Sequence, residues 1–152
     1  MASEARRLRL CVRRQAAAAG TARIALRVPS DVTVVEEAVE VLTRHCLVGD
    51  PAGSRLRFRL QTALAEALAN AVLRGNGADA DKSVQVVADV TVDEIRVHVG
   101  DEGDGFDPAA VGGTPPDPEA EHGRGILMLR SLVDALQYNA RGNALWMTLR
   151  RH

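Results

Sequence analysis

Hydrophobic positions recur along the chain with two different periods, and the switches between them outline a fold. Ile24, Leu26 and Val28 alternate with polar or small residues, the period of a strand. Pro29 ends that run, and Ser30 or Asp31 is placed to cap a helix that carries Glu36 and Glu37 near its positive end. Val35, Ala38, Val39, Leu42 and Cys46 give this helix one apolar face, and Asp50, Pro51 and Gly53 break the pattern. A second helix is predicted over 54–73, where Leu60, Leu64 and Leu68 form a stripe, and Gly75 to Gly77 ends it. Two runs at 83–90 and 92–101 read as an antiparallel hairpin with its turn near Thr91 to Glu94. A glycine- and proline-rich loop over 102–122 follows, a kind of segment that is usually functional when it interrupts a compact domain. A helix over about 124–135 then leads to strands at 136–141 and 144–150, joined at Arg141-Gly142-Asn143. The order β-α-α-β-β-loop-α-β-β predicts an α+β, two-layer sandwich: a mixed, mostly antiparallel sheet covered on one face by helices.

Composition adds limits. A length of 152 residues suits one domain with a core of its own. Aromatic residues are 3% of a chain that is 46% hydrophobic, so the core must be Leu, Val, Ile and Ala. The formal net charge of −1 argues against a general nucleic-acid binder. Residues 1–21, with Arg6, Arg7, Arg9, Arg13 and Arg14, read as a solvated basic extension before a domain spanning 22–152. Leu8, Leu10 and Val12 are interrupted by arginine and form no signal-peptide core, and no apolar run is long enough to span a membrane. Cys11 and Cys46 form no metal-ligand cluster and fit free thiols of a reducing compartment, so the expected location is cytoplasmic.

Three clusters carry candidate chemistry. Glu66 and Asn70, four apart on the second helix, share a face turned away from the leucine stripe and flanked by Ala63, Ala67 and Ala69. A carboxylate and an amide oxygen over small residues suit Mg²⁺, which prefers oxygen donors and retains waters. Alone, the pair fits a solvated polar face as well. Asp101 follows Ile95, Val97 and Val99 in phase, which puts a carboxylate at the end of an apolar sheet face where it needs a partner. A purine amino group is a suitable donor, and Gly103 and Gly105 permit close approach to a flat base. Alone, the segment fits a polar turn. Gly123-Arg124-Gly125-Ile126 opens a helix, where free N–H groups favour an anion, although a plain loop end has the same sequence. The conjunction in this order is far more specific than any member.

These stretches identify a resemblance. Ala65-Glu66-Ala67-Leu68-Ala69-Asn70-Ala71-Val72 resembles the N box of GHKL ATPases, Asp101-Glu102-Gly103-Asp104-Gly105-Phe106 the G1 box, and Gly123-Arg124-Gly125-Ile126 the G2 box. The resemblance covers about residues 22–150 and implies the Bergerat, histidine-kinase-like ATPase fold. The short chain, with strand Ile24–Pro29 followed directly by a helix, is similar to anti-sigma factor serine/threonine kinases of the RsbW type. The resemblance implies ATP and Mg²⁺ as cofactors, with Asn70 as the metal ligand and Glu66 as the general base. It further implies that Asp101 binds the adenine amine, that Gly103, Gly105, Gly123 and Gly125 shape the base and phosphate sites, and that 107–122 forms a lid. Arg124 and Ile126 belong to the same phosphate-side motif. The implied partners are a sigma factor, a STAS-domain antagonist that is phosphorylated on serine, and a second copy in a homodimer, with neither nucleic acid nor membrane bound.

The sequence departs from that pattern in three places. Glu121-His122 stands where kinases of this type often carry Arg-Ser, Arg74 where many have His, and Gly142-Asn143 where Gly-Thr is common. Asn143 still offers a donor near the phosphates, and Arg124 offers a cation in place of the lid arginine. A nucleotide-gated regulator without phosphotransfer therefore stays open as an alternative, as does a stand-alone histidine-kinase-like domain. His122 reads as a solvated loop residue, His98 is expected on the other sheet face from Val97 and Val99, and Trp146 reads as packing in the last strand.

Overall fold

The computed structural model describes residues 7–14, 21–51, 53–105 and 121–151, with the side chains of Arg14 and of 121–124 outside the described set. Strands β1 (Arg9–Arg14) and β2 (Ala22–Pro29) lead into helices α1 (Val35–Cys46) and α2 (Arg55–Asn70). Then come β3 (Ser83–Val90), β4 (Glu94–Gly100), helix α3 (Glu121–Leu132), β5 (Ala135–Tyr138) and β6 (Ala144–Arg150). The strands form one six-stranded sheet in the order β1-β2-β3-β4-β6-β5.

Every described strand pairing is antiparallel, where a mixed sheet was expected. The connections explain it. Helices α1 and α2 pack as a hairpin and return the chain to the end of the sheet it left, so that Ser83 lies opposite Pro29. The crossover through α3 makes β5 run parallel to β4, but β6 lies between them, and no neighbouring pair is parallel. Strand β1 lies within the segment expected as an extension. Leu10 is opposite Leu26 and Val12 opposite Ile24, and Leu8 and Val12 pack against the core. The spacing of Leu8, Leu10 and Val12 is the period of a strand.

Inward residues of the central strands are buried: Ile24, Leu26 and Val28, then Val84, Val86 and Ala88, Ile95, Val97 and Val99, and Leu145, Met147 and Leu149. The leucine stripe of α2 is also fully buried. Each such Val, Leu, Ile or Met side chain contributes roughly 1.5–3 kcal/mol by leaving water. Asp31 accepts a hydrogen bond from the Thr33 amide at 2.9 Å and caps a 3₁₀ turn, Val32–Val34, that leads into α1. Ser54 caps α2 by accepting from the Arg57 amide at 3.1 Å. Arg59 ties the start of α2 to the end of α3, donating to the Leu132 carbonyl at 2.8 Å and to Asp134 at 3.0 Å. Asp134 also accepts from the Arg150 amide at 2.7 Å, the main cause of a carboxyl pKa below the usual range. With Gly125 beside Glu66 at the opposite end, the two helices run antiparallel and their polar edges meet.

Candidate functional site

Helix α2 widens as it ends. Ala71–Gly75 forms a π turn, in which the Asn76 amide reaches back to the Ala71 carbonyl at 2.8 Å. Such a turn shifts the residues after it around the helix axis and is frequent at functional sites. Here it carries Arg74 and Gly75 to the wall of a cavity of about 440 Å³. The floor is a row across three strands, Val99 opposite Leu145 and Leu145 opposite Tyr138, and Ala67 and Ala71 close the helix side. The volume is that of an ordinary small-ligand site.

Asp101 stands at one end of this cavity, as its phase with the β4 core residues requires. Its Oδ1 accepts from the Gly103 amide at 2.8 Å, leaving Oδ2 for an amine of a ligand. Burial raises its pKa above the ordinary aspartate value, opposed by the Gly103 hydrogen bond and by the charge of Lys82. The carboxyl packs directly on Gly75, where a Cβ would overlap its atoms, so a side chain here would displace the carboxyl. Gly103 lies against the Gly75 carbonyl, and Gly105 lines the cavity with φ +84° against the Arg141 carbonyl.

The loop that presents Asp101 is held by residues the motif reading had not singled out. Asn76 is buried, donating to Ser30 Oγ at 2.6 Å and to the Ser83 carbonyl at 3.0 Å, and accepting from the Glu102 amide at 2.7 Å. Glu102 accepts in turn from the Ser83 amide at 2.6 Å. On the opposite wall, Asn139 Oδ1 accepts from the amides of Gly142, Asn143 and Ala144 at 2.8–3.2 Å, shaping the β5–β6 turn. Asn143 lines the cavity and bridges the two walls. It accepts from Asn139 Nδ2 at 2.7 Å and donates to the Gly103 carbonyl at 3.2 Å. The one sequence signal for these amides is asparagine at each turn, a common residue there.

Asn70 lines the other end of the cavity and donates through Nδ2 to Glu66 Oε1 at 3.2 Å. That bond uses the amide nitrogen, so Oδ1 is the atom a magnesium ion would take. Glu66 itself is not part of the lining; it lies beside it, half-buried against α3. A Cβ on Gly125 would overlap Glu66 Oε1 and stand 3.0 Å from Asn70 Nδ2, so this glycine makes the space in which the pair sits. Tyr138 reaches the same region from β5. Burial pushes its hydroxyl up to about 12, with smaller effects from Arg130 downward and Glu66 upward, so it is a neutral hydrogen-bonding group at physiological pH.

Of the residues singled out in the sequence, Asn70, Asp101, Gly105 and Asn143 thus line one cavity, and Glu66, Gly103 and Gly125 are packed against its walls. Gly123 and Arg124 belong by backbone to α3, which starts at Glu121 rather than near 124, and Ile126 is buried. Residues 106–120 of the expected lid, and the side chains of Glu121, His122 and Arg124, lie outside the described residues. The donors fit a metal that arrives with phosphate: one amide oxygen beside one carboxylate, with no cluster of three or more His, Cys, Asp or Glu among the described residues. No described helix is long and apolar enough to cross a membrane.

No curated protein matches the sequence. The sequence does match the family described as the histidine kinase-like ATPase domain, over residues 2–149. With a match of that extent, the chain belongs to the histidine kinase-like ATPase domain family, within the GHKL ATPase superfamily.

Proposed function

We propose that the chain is an ATP- and Mg²⁺-dependent anti-sigma factor serine/threonine kinase, which sequesters a sigma factor and phosphorylates a serine of a STAS-domain antagonist. The observation that carries the ATP-binding part is the convergence of Asn70 and Asp101, from separate elements, on one cavity with Glu66 beside it. The protein-kinase part rests on the sequence resemblance. In this reading Asp101 Oδ2 accepts from the adenine amine while Gly103 fixes Oδ1. Val99, Leu145 and Ala71 supply the apolar surface for the base. Asn70 Oδ1 would hold magnesium, which when bound would supply the positive charge that offsets the phosphates. Glu66 takes the proton from the attacking serine hydroxyl, and its bond from Asn70 orients the carboxylate for that role.

Calorimetric titration with ATP and Mg²⁺, combined with a phosphotransfer assay on a STAS-domain antagonist, tests the reading. Binding is expected in the wild type, weakened binding in Asp101→Asn, and normal binding without phosphoserine in Glu66→Gln. Wild-type behaviour of both variants would reject the assignments. A second reading, nucleotide-gated partner switching without transfer, is favoured by Glu121 at the position where related kinases carry arginine. ATP binding with no phosphoserine in the wild type selects it.

A further inference from the structure

The sheet face opposite the helices carries a pattern that the nucleotide cavity does not use. Strand register places Cys11, Ala25, Val87, His98 and Trp146 side by side across β1, β2, β3, β4 and β6. The imidazole of His98 and the indole of Trp146 are 4.7 Å apart between centroids and tilted by 57°. Burial lowers the His98 pKa from its ordinary value, which favours the neutral imidazole. The row is flanked by Arg9 and Arg27 on one side and by Arg13, Arg23 and Arg96 on the other. Asp89 lies in the second flank and sits 3.6 Å from Arg23. Cations therefore outnumber carboxylates on these rows of a chain whose formal net charge is −1. Arg23, Val87, Asp89, Arg96, His98 and Trp146 enclose a depression of about 310 Å³.

We infer that this face docks an extended acidic segment of a partner protein, seating an apolar side chain beside Trp146 and carboxylates on Arg23 and Arg96. The chemistry selects that occupant. Guanidinium groups pair with carboxylates in a planar, two-bond geometry, and a strand-like segment offers apolar and acidic side chains at the spacing of these rows. An isologous contact with a second copy would bring arginine rows toward one another, and like charges in an interface are costly. Single-stranded nucleic acid needs successive stacking rings, whereas this row has Ala25 and Val87 next to its aromatic pair. The inference stands independently of the nucleotide reading, because it uses the opposite side of the sheet.

Trp146 is the chain's only tryptophan, so its emission reports on this face alone. The test titrates the full chain with a short tryptophan-free peptide that repeats Glu-Ser-Leu-Ser, which puts Glu and Leu on one face of an extended segment, while following that emission; a Lys–Leu control carries Lys in place of Glu. A saturable shift is expected. It should weaken about tenfold when Arg23 and Arg96 are both changed to Gln, and weaken again with added salt. The two arginines are exposed, so circular dichroism of the double variant should match the wild type. If that variant misfolds, the salt dependence and a Lys–Leu control peptide carry the test on the wild type. The inference is overturned if emission does not respond, if the Lys–Leu peptide binds equally well, or if an oligonucleotide of similar charge binds more tightly. Sedimentation showing a dimer that the arginine substitutions abolish would overturn it as well.

Discussion

The two ends of the cavity are held by different means. Around Asp101, side-chain amides tie separate segments together: Asn76 joins Ser30, Ser83 and Glu102, and Asn143 bridges Asn139 to Gly103. Around Glu66, the described contacts are a single side-chain bond of 3.2 Å and the fit of Gly125. The first end is set before a ligand arrives, which lowers the ordering cost of binding. The second depends on how α3 approaches α2. Affinity and turnover should therefore be separable by mutation.

The largest expected effect is on turnover. Glu66→Gln should lower phosphotransfer by roughly 10²- to 10⁴-fold and leave ATP affinity unchanged, measured by labelled-phosphate transfer beside calorimetry. Gly75→Ala attacks the other end. Its Cβ displaces the Asp101 carboxyl, and loss of a charge-assisted bond should cost about a hundredfold in ATP affinity. Gly125→Ala is the contrasting variant. It displaces Glu66 and should lower transfer more than affinity. If Gly75→Ala and Gly125→Ala give the same profile, the two ends are not independent.

Asp101→Asn keeps an acceptor for the Gly103 amide and should weaken ATP binding by roughly tenfold. Because burial raises the Asp101 pKa, ATP affinity should fall as pH drops through a window above that of an exposed aspartate. The stability sign is the reverse. A carboxyl whose folded pKa is raised favours the folded state below its unfolded pKa, and that contribution is lost as pH rises through the folded pKa. At neutral pH the ligand-free Asn variant should therefore melt no lower than wild type, as scanning calorimetry would show. The smallest effect on the comparison comes from Asn76→Ala. It strips the Glu102 amide of its acceptor and should lower the melting temperature by about 3–10 °C, with a weaker effect on affinity.

Much of this arrangement was legible in the chain. The period-two runs gave β2, β3, β4 and β6, the leucine stripe gave the buried side of α2, and the phase of Asp101 placed it on the cavity side of the sheet. His98 and Trp146 lie on the other face, as their phase requires. What escaped was contact between distant segments. Asn76 reaches Ser30 across 46 positions and Glu102 across 26, and no local spacing marks such a residue. Strand β1 escaped because its arginines resemble those of a solvated extension, and only β2 provides the edge that orders them.

The sequence by itself determined which residues alternate, which carry charge beside small neighbours, and where glycine interrupts, because these follow from local periodicity and backbone freedom. Tertiary structure alone decided that Gly75 lies under Asp101, that Gly125 leaves room for Glu66, and that arginines from three strands align on one face. Those outcomes depend on register and helix packing, which are settled by contacts between segments far apart in the chain.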